Sequence, residues 1–516
     1  MMLSAFIWAL NIFLFNGLPA LRLLQIKDYH WARIKAHFYQ PSSKNLIFNI
    51  KEIAIYIFLF LTLFLKNIYL NLWPGIITLL IFLIWRKNLK NYLVWTAKAS
   101  LLALVQIFIL TLLLSFSQVS LRSVLFLSLF IVQLIIITSV SEIINHTLKI
   151  LSYPFRKKIK EKIIKAKKEL GTMSILIVGS YGKSSVKHYL VEILQKLSSV
   201  CAPPERVNHE FALIKFFMKR EIKEKFIAVE HGCYEVGQIS FVSSFLLPDV
   251  GIITGITEQH FAVFGSMSKI LRGEGYEILE NMNDGLLIVN LNHNYKNELM
   301  NKIEELMKTR NVKLITYGTT DADYNFEVIE RDLEKSKIRL KAKDETVEIE
   351  VPIPVPFQIE NLVGAIALLH QFFSLEKILS CLKEIKILEK SMSFRKVNDI
   401  LIFDASYNAN PRGVLEAIKF LKSLPGENKF IIFNSLIELG KFAKKVFSEI
   451  AEESKFVNIF LSTFEDYDKI LKEKLGSKFL LVKKRKELEL FIKTIPRGSI
   501  VLILGRPKKE FADVLP

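Results

Sequence analysis

A chain of 516 residues is long enough for about three domains. Half of it is apolar (51%) and the mean hydropathy is +0.30, high for a soluble protein, with the excess concentrated in the first 150 residues. The net charge of +19 sits largely beside those apolar stretches, which favours a bilayer surface over nucleic acid. The cysteines Cys201, Cys233 and Cys381 show neither metal-ligand spacing nor an even disulfide framework, and so point to a reduced, cytoplasmic setting.

In chain order, residues 1–152 read first as an α-helical transmembrane region. Apolar segments at 3–24, 48–65, 68–85, 98–116 and 121–140 are each near the roughly 17–25 residues that cross a hydrocarbon core. A buried helical core is the competing reading. Basic residues gather in the loops 26–47 and 86–91. With five spans these loops share one side with the rest of the chain. The positive-inside rule then predicts an external N-terminus and a multi-pass protein of the bacterial cell membrane, with membrane lipids as partners and the catalytic domains in the cytoplasm. Residues 153–170 form a basic linker, in which Ile159, Ile163 and Ile164 have helical spacing. This stretch reads as a surface helix on anionic lipid, a linker, or a solvated charge run.

A domain over 171–390 opens with Ile175–Val178, an apolar strand that enters Gly179-Ser180-Tyr181-Gly182-Lys183-Ser184-Ser185 and leaves through the helical pattern Val186, Leu190, Ile193 and Leu194. Strand, glycine turn, lysine with hydroxyls, then helix is a phosphate cradle. Backbone N–H groups face the anion, Lys183 adds charge, and Ser184 can hold Mg²⁺. Only two residues separate the glycines here, so the commoner four-residue spacing does not apply. Strands at 226–230, 250–254, 286–290 and 313–317 alternate with helices at 185–198, 210–221, 267–281 and 296–309, which predicts a parallel sheet with its ligands at the strands' carboxyl ends. Glu230 and His260 both follow such strands. A carboxylate and an imidazole there suit a divalent metal, although a capping carboxylate and a plain loop histidine are the simpler readings. Between 323 and 355 strict alternation predicts a small antiparallel sheet attached to this core.

Residues 391–516 repeat the alternation, with strands near 400–404, 430–433, 457–461, 479–482 and 500–504 and a helix over 411–423, a second doubly wound, Rossmann-like α/β domain.

The phosphate loop, Glu230-His-Gly-Cys-Tyr-Glu-Val-Gly237, the run from Pro248 through His260 to Ser266, Gln358-Ile-Glu-Asn361 and Asp404-Ala-Ser-Tyr-Asn408-Ala-Asn-Pro411 occur in one order. Together they resemble the Mur ligases over about 172–516, and the last run resembles the branch that adds D-alanyl-D-alanine to a UDP-muramoyl tripeptide. The resemblance implies a central ATP-binding domain and a C-terminal domain that form an amide bond through an acyl phosphate. It implies catalytic roles for Lys183, Glu230 and His260, and Mg²⁺ on Ser184, Glu230 and His260. It also implies nucleotide contacts from Gly179 through Ser185 and from Asn361, Arg395, Asp404 and Asn408.

The chain departs from the family pattern in several places. Apolar segments stand where a UDP-gripping domain is usual, and the second sugar-peptide landmark is reduced to Val207-Asn208-His-Glu-Phe-Ala. Asn434-Ser435 stand where Gly-Asp is usual. Counted without gaps from Gly265-Ser266, the family's carbamylated lysine falls on Glu274, which is already a carboxylate and is a further candidate metal ligand; a gap placed elsewhere opposes Gly275 instead. Glu274 as a solvated helix residue is the plainer alternative. Rival functions are a membrane-anchored ligase resembling poly-γ-glutamate synthetases and a non-catalytic, nucleotide-binding scaffold for cell-wall synthesis.

Overall fold

The computed structural model describes residues 97–116 and 138–516, apart from 206, 387–391, 407–409, 435, 506, 508–510 and 512–516, together with Leu21, Arg33 and Ala36. The chain divides into two compact units, Met1–Tyr153 and Pro154–Pro516.

In the first unit, helix α1 (Ala97–Phe116) buries Ala99, Leu102, Ala103, Gln106 and Leu110 and exposes Leu104 and Phe108. The transmembrane region expected for 1–152 is corrected here: among the described residues no helix is long and apolar enough to cross a membrane. With it go the multi-pass membrane localisation and the membrane lipids as partners. An apolar run has the same composition whether its residues face lipid or pack into protein, and α1 sets one face inward. Segments 48–65 and 68–85, and nearly all of 3–24 and 121–140, lie outside the described residues.

The second unit opens with α2 (Tyr153–Leu170), the basic stretch. Its Ile159, Ile163 and Ala166 are buried. Lys167 Nζ lies 2.6 Å from both Asp249 Oδ2 and the Leu247 carbonyl, and the Arg156 guanidinium stands 4.5 Å from the Phe241 ring centroid. The apolar spacing thus docks the helix against the α/β unit, with most of its lysines turned outward.

A nine-stranded sheet follows, in the order β2-β3-β1-β4-β5-β6-β7-β8-β9. Its parallel strands are β1 (Met173–Val178), β2 (Val200–Cys201), β3 (Phe226–Glu230), β4 (Val250–Ile253), β5 (Asp284–Asn290) and β6 (Asn311–Tyr317). The central strands β1, β3 and β4 are almost wholly buried because helices cover both faces, whereas β6 alternates in burial. On one face α3 (Lys183–Leu197) packs beside α10 (Pro356–Leu369), whose residues from Gln358 to Leu369 are all buried. Between them in sequence lie α4 (Glu210–Met218), α5 (Gln238–Leu246) and α9 (Lys296–Met307). The antiparallel strands β7 (Tyr324–Arg331), β8 (Ser336–Ala342) and β9 (Glu345–Val351) continue the same sheet, joined to β6 through Tyr317 and Tyr324.

The helix expected over 267–281 is interrupted. After α6 (Phe261–Phe264), α7 (Met267–Leu271) runs into a wide π turn at Arg272–Tyr276 and resumes as α8 (Glu277–Glu280). A Cβ on Gly273 would stand 2.6 Å from the Phe264 ring, so the turn needs glycine to pack this closely.

A second, six-stranded sheet has the order β10-β11-β15-β12-β13-β14. The strands are β10 (Ser393–Val397), β11 (Ile400–Ala405), β12 (Lys429–Phe433), β13 (Ile459–Ser462), β14 (Phe479–Leu481) and β15 (Ile500–Leu504), and only β10 is antiparallel. Here α12 (Pro411–Ser423) follows β11, with the Asn410 side chain accepting from the Gly413 N–H 2.8 Å away as its N-cap.

Ile163 is fully buried, whereas its neighbour Ile164 is 46% exposed. Ile163→Ala is expected to lower stability by about 2–4 kcal/mol, and Ile164→Ala by no more than about 0.5 kcal/mol. Chemical denaturation of the two variants checks the docking of α2.

Candidate active site

The carboxyl ends of β1, β3, β4 and β5 form one edge, as the register pairs Ile177 with Glu230 and Ile253 with both Val178 and Val289. The phosphate loop leaves that edge from Val178. Gly179 has φ +135° and Gly182 has φ +78°. A Cβ on Gly179 would meet Thr254 Oγ1 at 2.3 Å, and one on Gly182 would meet Asn361 Oδ1 at 2.5 Å. Both the left-handed backbone and the missing side chain are therefore required. Thr254 Oγ1 donates to the Tyr181 carbonyl, and the Ser180 N–H donates to the Gly255 carbonyl at 2.8 Å, which ties the loop to the end of β4. At the start of α3 the first turn leaves N–H groups without an intrahelical partner, aimed where an anion would sit. Lys183 Nζ caps its own loop by donating to the carbonyls of Gly179 and Ser180. Ser184 is partly exposed at the helix start, while Ser185 is buried.

Glu230, at the end of β3, is buried. Its Oε1 lies 3.3 Å from Lys187 Nζ, and its Oε2 has no hydrogen-bond partner. Ser184, Lys187 and Glu230 line a cavity of about 450 Å³ with Pro203 and Arg220.

Glu274, on the π turn, is 1% exposed. Its Oε2 accepts from the Ser180 hydroxyl at 2.6 Å and its Oε1 from His260 Nδ1 at 2.6 Å. Burial alone would raise the Glu274 carboxyl, but the adjacent His260, Lys183 and the Ser180 hydroxyl outweigh it and hold the carboxyl below its ordinary value. The solvated-helix reading of Glu274 is thereby excluded. His260 Nε2 lies 3.9 Å from Glu438 Oε2, which comes from the second-sheet domain. Among the described residues no group of three or more His, Cys, Asp or Glu is placed to hold a metal ion.

A larger cavity of about 500 Å³ lies between the two sheet domains, lined by Thr257, His293, Phe357 and Glu360 on one side and Pro411 and Arg412 on the other. Its volume is that of a small-molecule site. Arg412, on the first turn of α12, donates to Tyr181 Oη at 2.5 Å and to Glu360 Oε2 at 2.8 Å, with its guanidinium 5.1 Å from the Tyr181 ring centroid. Asn290 and Asn292 donate to the same carboxylate at 2.7 and 2.5 Å. Burial pushes the Glu360 carboxyl up, with Arg412 and the two amides pulling the other way.

The structure thus brings together Gly179 through Ser185, Asn361, His260 and Glu274, with Glu230 on the neighbouring strand end. Arg395 and Asp404 lie on β10 and β11, 4.0 Å apart, and neither lines the larger cavity. Asn408 lies outside the described residues. Sequence reasoning assigned no role to Arg412, Glu360, Asn290, Lys187 or Glu438, although Lys187, Glu360 and Glu438 fall within or beside runs that carry the resemblance and Arg412 stands just after an Asn-Pro helix start. Asn434 spans strand ends in the second sheet, donating to the Leu504 and Gly505 carbonyls and accepting from Thr463.

His293 is held neutral. Burial, aided by the Arg412 charge, pulls its pKa down to about 3. The unfolded chain therefore binds a proton at this position that the folded chain refuses. Stability falls as pH drops from about 6.5 towards 3. A His293→Asn variant should lose less stability than the native chain between pH 7 and pH 4, as measured by denaturant midpoints. Parallel losses in the two proteins would contradict this.

Residues 177–369 match the Mur ligase middle domain. The chain is 26% identical to the UDP-N-acetylmuramoyl-tripeptide--D-alanyl-D-alanine ligase of Borreliella burgdorferi, over 64% of this chain and 71% of that one. The Escherichia coli ligase of the same name is 21% identical, over 55% of this chain and 62% of that one. The chain therefore spans between about three-fifths and three-quarters of these relatives' lengths. Among solved folds, MurF from Acinetobacter baumannii aligns with a TM-score of 0.61 at 19% identity, covering 70% of this chain and 80% of that one. MurF from Thermotoga maritima, solved with ADP, aligns with a TM-score of 0.61 at 18% identity, covering 70% and 82%. The matched middle domain, the named relatives and the shared fold agree: over residues 177–369 the chain carries a Mur ligase middle domain, and the relatives and folds it is similar to are MurF-type ligases.

Proposed function

We propose that the chain is an ATP-dependent carboxylate–amine ligase of peptidoglycan precursor synthesis that joins D-alanyl-D-alanine to a UDP-muramoyl tripeptide. The observation that carries this reading is the glycine-lysine loop at the start of α3, whose Tyr181 hydroxyl meets Arg412, a residue lining the cavity of about 500 Å³ between the two sheet domains. A nucleotide bound there meets donors from both domains. The relatives' printed activity supports the choice of substrates.

In the reaction a substrate carboxylate oxygen attacks the γ-phosphorus of ATP and ADP leaves, giving an acyl phosphate. The amine then attacks the acyl carbon, and phosphate leaves as the amide forms. The loop N–H groups orient the phosphates, and Lys183 exchanges its loop carbonyls for phosphate oxygens and neutralises charge developing on them. Two residues fit Mg²⁺: the carboxylate of Glu230, with one buried oxygen unpartnered, and the hydroxyl of Ser184 in the same cavity. These are hard oxygen donors, and Mg²⁺ commonly takes its other ligands from water and phosphate. When bound it would supply charge neutralisation at the phosphates. His260 and Glu274 hold Ser180 and the loop's far side, and Glu274 supplies a fixed carboxylate where the family's resemblance implies a carbamylated lysine. Asn361, behind Gly182, remains a proposed nucleotide contact. Arg395 and Asp404, which do not line the cavity between the two sheet domains, and Asn408 remain proposed contacts that closure of the second-sheet domain would bring to the nucleotide.

Phosphate release with ATP, UDP-muramoyl tripeptide and D-alanyl-D-alanine tests the reading. Turnover is expected with that pair and not with glutamate as the amine, and Lys183→Ala should lower it by at least about 100-fold. Turnover with glutamate alone, or none with any amine, would overturn it. Glu274→Gln should reduce turnover at least about tenfold, and added bicarbonate should leave the native rate unchanged. A strong rise with bicarbonate would contradict the fixed-carboxylate role.

A further inference from the structure

We propose that Arg412 is a positioning residue for the phosphate loop: it reaches from the second-sheet domain and holds Tyr181, so that the loop keeps its working shape only while that domain is engaged. This rests on the reading of the cavity between the domains as the nucleotide site.

Tyr181 sits between the two loop glycines, and its ring fills the space where a side chain on Gly255 would stand, at 2.3 Å. The ring is therefore wedged against the turn that follows β4, and its hydroxyl lies within reach of Arg412. One guanidinium nitrogen of Arg412 meets that hydroxyl at 2.5 Å while another meets Glu360 at 2.8 Å. The same hydroxyl donates to the Asn292 carbonyl at 3.3 Å. Glu360 is fixed in turn by Asn290 and Asn292, and the Asn290 amide also donates to the Thr254 carbonyl at 3.0 Å. Thr254 is the residue that closes the loop through the Tyr181 carbonyl. Ring, hydroxyl, carboxylate and loop backbone thus form one connected network to which, among the described residues, the second-sheet domain contributes Arg412 alone. The Arg412 side chain is 16% exposed and Glu360 is 4% exposed. A planar fork with two donors and a face suits this double role, which a lysine cannot reproduce.

A second contact between the domains lies on the other side of the loop. The Ala262 N–H donates to the Glu438 carbonyl at 2.9 Å, and Phe261 meets Phe442 edge-on at 4.9 Å. Among the described residues that contact reaches the loop through His260, Glu274 and Ser180. Arg412 touches the loop directly.

The test uses the full chain. Amide hydrogen exchange of residues 179–183 should rise at least about tenfold in Arg412→Met and in Tyr181→Phe, with the strands of both sheets unchanged. The double variant should be no faster than the worse single one, because both break one link. Arg412→Met combined with Glu360→Gln removes the stranded charge and should regain stability without regaining loop protection. In turnover, Arg412→Met should lower kcat about tenfold and leave the KM for ATP within about threefold. Unchanged exchange at 179–183 in both single variants, or a rise spread evenly over both sheets, would overturn the proposal. So would a KM effect without a kcat effect, which would make Arg412 a plain nucleotide contact. A native chain without ligase turnover would sink the functional reading, while the exchange measurements would still decide this one.

Discussion

The rest of this site depends on a steric constraint at two glycines. The loop after β1 must turn with positive φ at Gly179 and Gly182 while Thr254 and Asn361 press against the places where side chains would be. This close approach brings the end of β4 and helix α10 within reach of the loop. It also lets α3 begin at once, with its N–H groups facing the strand ends. Substitution at either glycine combines backbone strain with a collision, so the local sequence there has little freedom.

Around this loop the molecule invests its buried polar groups. Ser180, Glu274 and His260 form one chain of hydrogen bonds, and Tyr181, Arg412, Glu360, Asn290 and Asn292 form another. Buried charges are tolerated only when paired and hydrogen-bonded, and each chain meets that condition by recruiting a residue from a distant part of the sequence. Glu438 and Arg412 both come from the second-sheet domain, so the two sheet domains are coupled at the point where phosphate chemistry is proposed to occur. Ser184 and Glu230 line one cavity at the start of α3, and Glu360 and Arg412 line the other, between the two sheet domains.

Much of this was legible in the chain itself. The run Ile175–Val178 into Gly-x-x-Gly-Lys-Ser-Ser announced a strand, turn and helix, and the structure has β1, the loop and α3 there. Both sheets followed from alternating apolar runs. Strand β10 did not, because Ser393-Phe-Arg-Lys-Val is mostly polar and pairs only along one edge. The break in the helix over 267–281 depends on Phe264 packing against Gly273, a contact that helical periodicity cannot express. Arg412 and Glu360 were invisible for the same reason, being ordinary charged residues on helices until the fold places them 2.8 Å apart. The apolar stretch 98–116 misled in a different way: composition does not distinguish a helix packed against protein from one facing lipid, and α1 buries one face. The basic stretch 153–170 carried the right apolar spacing, and its partner turned out to be the α/β unit itself.

The central claim is that phosphate is held at the start of α3 and the base between the two sheet domains. A crystal structure of the chain with a non-hydrolysable ATP analogue tests it most directly. The account predicts the β- and γ-phosphates within hydrogen-bond distance of the backbone amides of 180–184 and of Lys183 Nζ, with the nucleoside in the cavity that Arg412 and Glu360 line. Phosphates elsewhere in the molecule, or a nucleotide bound entirely to one sheet domain with that cavity empty, would contradict it.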